Sequence, residues 1–264
     1  MDKFVTDQAD GLRRLLARHP VRVIALLGEA QAGACLDLGA ALTFQGKRTV
    51  LVDERSTPGT RATLADVASG ALAFDDAALS VADSVFSLAS PPSSWQPARA
   101  DETAPFADRA DVVLVDAAQD REGRLSPLAA QAHDVVIAMR AEAGAITGAY
   151  ATIKRLHFLH GIKQFRVLFA QVESSGDAQG IYQNLAGVAN RYLGVSLLPA
   201  GLVSEDRAAM QRAQALGRSV VEAFPTARCA ADYRRIAGEL LHWPWRPLAA
   251  SRPAAAAGGA MQVA

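Results

Sequence analysis

The hydrophobic positions of this chain fall into short, unbroken runs separated by longer stretches with a helical period. The first run, Val21-Arg-Val-Ile-Ala-Leu-Leu27, is followed by Gly28-Glu-Ala-Gln-Ala-Gly33, an Ala/Leu-rich stretch ending at Gly46, and a second run closing in Val50-Leu-Val-Asp53. This pattern predicts strand, tight turn, helix and strand, a complete βαβ unit. Runs with no polar alternation suit a parallel sheet covered on both faces. Further strands are predicted at Asp111–Asp116, Asp134–Met139 and Gln164–Phe169, with a short one in Val195–Val203 broken at Pro199. Helical periodicity marks 145–159, where Ile146, Ala149, Ile153 and Leu156 form one stripe, and also 180–193, 206–217 and 228–243. A short helix through Leu64, Val67 and Ala68 ends at Gly70. Residues 71–88 are ambiguous, with Val85-Phe-Ser-Leu88 a candidate strand, and the stretch 90–104 with Pro91, Pro92 and Pro97 reads as an irregular excursion. Strands alternating with helices imply a doubly wound α/β fold, with a mainly parallel sheet and helices on both faces.

Outside that core, residues 1–19 form a lead-in helix with Leu12, Leu15 and Leu16 on one face, stopped by His19-Pro20. Residues 20–243 make up the α/β domain, and 244–264 form an Ala/Gly/Pro-rich tail with the composition of disorder. Of the 264 residues, 27 are Lys or Arg and 27 are Asp or Glu, so no overall basic field draws the protein to nucleic acid. No apolar run approaches the length needed to span a bilayer. With Asp2, Asp7 and Asp10, the N-terminus does not read as a signal peptide. Cys35 and Cys229 fall inside predicted helices and read as reduced core thiols of a cytoplasmic protein.

The turn after a first βαβ strand is where phosphates sit on a helix N-terminus in nucleotide-binding folds. Here it has two glycines, Gly28 and Gly33, but no Gly-Lys-Ser/Thr follows. Asp53 and Asp116 end strands at what should be the carboxyl edge, as ligand-facing carboxylates or as solvated, turn-capping ones. His157 and His160, three apart on one helix, have no Cys, Asp or Glu at matching spacing, so a metal site is not expected. Gly-x-Gly-x-x-Gly is absent, and Tyr150 and Lys154 have no supporting serine, which argues against a dinucleotide oxidoreductase.

The opening Asp7-Gln8-Ala9-Asp10-Gly11-Leu12-Arg13-Arg14-Leu15 stands directly ahead of the first strand. It is joined by Val50-Leu-Val-Asp53, Val113-Leu-Val-Asp116, Ile146-Thr-Gly-Ala-Tyr150-Ala-Thr-Ile-Lys154, Phe165-Arg-Val-Leu168 and Ser219-Val-Val-Glu-Ala-Phe-Pro225. In this order and spacing the chain resembles the MinD/ParA-like (deviant Walker A) P-loop family, over roughly residues 6–242. Within it the chain looks most like the flagellar-number regulators, antiactivators of flagellar gene expression. That resemblance implies a P-loop NTPase fold. It also implies an N-terminal segment in which Asp7, Gln8, Leu12 and Arg13 meet the SRP-type flagellar GTPase and stimulate it.

The departures from the family are concentrated at its nucleotide site. Where the family reads Lys-Gly-Gly-x-Gly-Lys-Thr, this chain has Gly28-Glu-Ala-Gln-Ala-Gly-Ala34, without either lysine and without a hydroxyl for magnesium. The second acidic residue expected after Asp53 is Arg55, and the adenine-contacting asparagine is Ala170. The expectation is a pseudo-ATPase without resident ATP or magnesium, in which Gly28, Gly33, Asp53 and Asp116 are relics of a nucleotide site. It would act through protein contacts: the GTPase, a flagellar transcription activator or basal-body protein, and a second copy of itself. The alternative is an ATP-switched dimer that binds membrane. The stripe of Ile236, Leu240 and Leu241, flanked by Arg234, Arg235 and Trp243, is the candidate membrane-targeting helix, which would place the protein at the inner face of the membrane near the pole. The other reading of that stripe is a final helix packed on the core.

Overall fold

The computed structural model describes residues 21–99 and 101–244. The predicted activator segment at 1–19 and the tail from 245 onward, Trp245 included, lie outside the described residues. The chain opens with β1 (Arg22–Leu27), α1 (Gln31–Thr43) and β2 (Thr49–Asp53), and continues through α2 (Leu64–Ala68), α3 (Phe74–Ala77), β3 (Leu79–Ala82) and β4 (Val85–Ala89). After two short 3₁₀ turns come β5 (Val112–Asp116), α4 (Pro127–Ala130), β6 (Asp134–Arg140), α5 (Ala143–His160), β7 (Gln164–Val172) and α6 (Ser175–Leu193). Finally come β8 (Ser196–Ser204), α7 (Arg207–Ala215), α8 (Val220–Ala223) and α9 (Arg228–Leu240).

The strands form one sheet in the order β3-β4-β2-β5-β1-β6-β7-β8, parallel throughout except where β3 returns antiparallel along β4. The doubly wound α/β reading therefore holds. Every residue of β1 is buried, the consequence of helices on both faces. One core lies under α2 to α6, with Ile153, Leu156, Leu185 and Phe165 in it. The other lies under α1, α8 and α9, around Leu38, Leu42, Tyr233 and Leu240.

One expectation needs correction. Pro199 does not break the last strand: β8 runs unbroken for nine residues, and its pairing with β7 shifts register just after Pro199. Edge strands and bulges tolerate a residue without an N–H, and β8 is an outermost strand. Of the two readings of the final helix, its apolar stripe packs largely on the core. Ile236, Ala237 and Leu240 are fully buried against the second core, and Trp243 covers the Arg166 guanidinium at 4.0 Å. The core-packed reading of α9 is the one the geometry supports.

Candidate functional site

Register decides what meets at the carboxyl edge. β2 and β5 are adjacent and in step, so Asp53 and Asp116 face each other as paired residues at their ends. The turn joining β1 to α1 lies beside them. Gly28 sits at φ +112 against β6, where a Cβ would collide with the Ala138 carbonyl oxygen. Only glycine fits that close approach. Gly33 is on the first turn of α1 with open space around it.

Between the glycines, Gln31 turns inward. It is 4% exposed, and its Nε2 donates to Asp116 Oδ1 at 2.6 Å and to Ala117 O at 2.8 Å. Burial pushes the Asp116 carboxyl above its ordinary range, and the Gln31 amide pulls it part of the way back. Glu29 crosses to the end of β6, where its Oε1 accepts the Arg140 N–H at 3.1 Å. The Ala30 N–H is given to Ala138 O at 3.3 Å. Thus the turn spends its polar groups on its own neighbours. No Lys, Ser or Thr occurs between Gly28 and Asp37.

Asp53 is engaged too. It accepts the Arg55 N–H at 3.1 Å and pairs with Arg61 at 3.2 Å, so it caps its own following turn. Behind it, Glu54 is wholly buried, accepting the Ala118 N–H at 2.9 Å and meeting Ser126 Oγ at 2.5 Å. Burial drives its carboxyl up to about 8, with the nearby Asp116 and Asp53 charges adding to the rise. Burial therefore favours the neutral form of Glu54, and the bonds donated by Ser126 Oγ and the Ala118 N–H offset only part of that rise.

Beyond the turn, a cleft of about 1000 Å³ opens between α1, α7 and the ends of β6 to β8. Five carboxylates line it (Asp37, Glu142, Glu173, Asp177, Glu205) against three arginines (Arg140, Arg207, Arg218). Arg207 is already paired with Glu205 and lies 3.8 Å from Glu173. Gln171 lines the same cleft in the left-handed region at φ +56, rare for a residue with a side chain. Next to it Ala170 is buried and offers no side-chain donor.

The fold has solved counterparts. The MinD cell division protein of Aquifex aeolicus superposes with a TM-score of 0.63 over 87% of this chain and 100% of that one, at 16% identity. A ParA family ATPase of Chlorobium tepidum gives 0.62 over 84% and 99%, at 17% identity. In sequence, the antiactivator FleN of Pseudomonas aeruginosa is 26% identical over 257 residues, 88% of this chain and 91% of FleN. The chain thus has the fold of the MinD and ParA ATPases and is similar in sequence to FleN. No family model matches it. At this carboxyl edge the structure brings Gly28, Asp53 and Asp116 together, while Gly33 lies on α1, exposed.

Other sequence candidates have structural employment. His157 Nδ1 contacts Ile162 O at 2.9 Å, and His160 Nε2 accepts the Leu125 N–H at 3.0 Å. No group of three His, Cys, Asp or Glu able to hold a metal occurs among the described residues. Tyr150 packs on the core and Lys154 points outward. Both cysteines are buried and unbonded to each other. Sequence reasoning passed over Gln31, Glu54 and Gln171. The first had a readable signal, as a long amide side chain inside a turn of small residues and Glu29.

Proposed function

We propose that this protein is a regulator of flagellar number that works through protein contacts and not through nucleotide turnover. The observation that carries the reading is Gln31, whose amide lies against Asp116 at 2.6 Å inside a turn without lysine or hydroxyl. Lysine and magnesium are the main neutralising charges for a bound triphosphate, each making charge-assisted contacts of roughly 1.5–3 kcal/mol. A cleft in which carboxylates outnumber arginines adds repulsion instead. Similarity to an antiactivator supports the regulatory half of the reading.

The active output is assigned to the N-terminal segment. Gln8 would orient the attacking water or a neighbouring catalytic group of the SRP-type flagellar GTPase. Arg13 would anchor electrostatically, Leu12 would fill a groove beside the GTPase site, and Asp7 would contribute to the same contact. A flagellar transcription activator or basal-body protein is the second partner, met by the sheet domain. The decisive experiment adds a peptide of residues 1–19 to the GTPase and measures hydrolysis. A faster rate, weakened by Gln8→Ala or Arg13→Ala, supports the role, and an unchanged rate removes it. Titration with magnesium-ATP tests the other half: tight binding or turnover that is lost in Asp53→Ala would return the protein to the ATP-switched class.

A further inference from the structure

Residues 116–126 join β5 to α4 along the carboxyl edge, and a connection at such a surface is ordinarily among the more mobile parts of a protein. This one is tied down almost residue by residue. Gln31 holds Asp116 and Ala117 at 2.6 and 2.8 Å, while the Ala117 N–H reaches back to Leu26 O at 3.0 Å. Glu54 holds Ala118 and Ser126 at 2.9 and 2.5 Å. Arg155 donates to Gln119 Oε1 at 3.1 Å, Asp120 Oδ1 accepts the Glu122 and Arg124 N–H groups, and His160 takes the Leu125 N–H at 3.0 Å.

Two of these anchors come from the interior and carry a cost. Both partners of the Gln31 amide are oxygens in acceptor roles, so its NH₂ group is committed to them and the side chain cannot reverse without losing both bonds. A wholly buried glutamate is destabilising unless it gains partners, and Glu54 spends both of its oxygens on the two ends of this one loop. Packing alone does not call for either residue.

We propose that Gln31 and Glu54 form a built-in clamp that locks residues 116–126 in one conformation, supplying from within the chain the contacts that a ligand would otherwise bring. This edge then presents a fixed surface, with Arg121, Glu122 and Arg124 exposed at its tip, whatever the nucleotide level. The inference rests on the reading above that no nucleotide drives the site.

Hydrogen exchange on the full chain, with and without magnesium-ATP, tests it. In the wild type the amides of Ala117 and Ala118 should exchange on the order of a hundredfold more slowly than those of the exposed turn at 57–59, with no change on adding nucleotide. Gln31→Ala should speed exchange at 117–119 about tenfold while leaving β6 and β7 unchanged. Glu54→Gln, which keeps a donor toward Ser126 and an acceptor for Ala118, should stay at the wild-type rate. Should Gln31→Ala fail to fold, Ser126→Ala gives the same readout from the other end. Fast exchange in the wild type, an unaltered rate in Gln31→Ala or Ser126→Ala, or protection that changes with magnesium-ATP overturns the clamp. Parallel calorimetry keeps the two ideas apart. A wild type that binds magnesium-ATP with its loop protection unchanged ends the nucleotide-free reading and leaves the clamp standing. A wild type that binds none yet exchanges quickly ends the clamp alone.

Discussion

The guanidinium of Arg166 lies over the indole ring of Trp243, 4.0 Å from its centroid, and its Nε donates to Asp134 at 2.8 Å. Asp134 also accepts from Arg22 at 2.6 Å, and Arg22 donates in turn to the Trp243 carbonyl at 2.9 Å. One buried carboxylate thereby joins the starts of β1, β6 and β7 to the end of α9. Removing it leaves two buried guanidinium groups facing each other. Asp134→Ala is expected to lower the unfolding free energy by about 3–5 kcal/mol, measured by urea denaturation. Trp243→Ala should cost only about 1–2 kcal/mol, mostly the lost cation–π contact. A loss below about 1 kcal/mol for Asp134→Ala would mean that water reaches this cluster.

Glu54 predicts a pH dependence whose sign is fixed by the direction of its shift. Its carboxyl lies near 4.5 when unfolded and is raised to about 8 when folded. Between those values the folded chain holds a proton that the unfolded chain does not, so stability falls as pH rises through that window and levels off above it. Asp37, raised from 3.8 to about 6 by burial, adds the same sign over a lower window. Glu54→Gln should flatten the melting temperature between pH 6 and 8 and raise it at pH 8 by an amount on the order of a few kcal/mol in stability. Thermal melts of both proteins across this range decide it. A wild-type curve that rises with pH there would show that Glu54 is not held neutral.

Much of the fold could be read in advance, because parallel strands covered on both faces leave unbroken apolar runs such as Val23–Leu27 and Val112–Val115. The elements that escaped notice are four-residue pieces, α3, β3, α4 and α8, too short to show a period. Pro199 misled because a proline's meaning depends on whether its strand is at an edge, and edge position is a property of topology. At the site, the pairing of Asp53 with Asp116 was legible from two strands ending in aspartate. The partners of Gln31 and Glu54 were not, even though Gln31 stood out as a long amide in the turn, since only the folded register shows that one amide spans Asp116 and Ala117 while one carboxyl spans Ala118 and Ser126. The buried stripe of α9 was ambiguous for a similar reason: an amphipathic helix looks the same in sequence whether a core or a bilayer covers it.

The two glycines of the first turn should respond oppositely to the same change. Gly28 combines φ +112 with a collision against the Ala138 carbonyl, so Gly28→Ala must displace backbone on β6 and is expected to cost about 2 kcal/mol or more. Gly33 sits on α1 with ordinary φ and nothing within 4 Å of a Cβ, so Gly33→Ala should stabilise by roughly 0.5–1 kcal/mol through helix propensity and a less flexible unfolded chain. Chemical denaturation of the pair provides the comparison. Equal effects would place the turn in a different conformation from the one described.

The final helix gives the last prediction. Leu240 is fully buried beside Ile236, while Arg235 and Glu239 are exposed and paired at 3.0 Å, and Arg234 is half-buried over the Phe44 ring. If this helix acted by entering lipid, removing an apolar side chain would weaken vesicle binding and spare the fold. Since the side chain instead fills the core under α1 and β8, Leu240→Ala should destabilise by about 2–5 kcal/mol. It should leave sedimentation with vesicles rich in anionic lipid unchanged from the wild type. Arg235→Ala, which loses exposed contacts to Glu239, Asp232 and the Leu202 carbonyl, should cost about 1 kcal/mol. A Leu240→Ala protein of wild-type stability that comes off the vesicles would mean that α9 leaves the sheet to bind membrane.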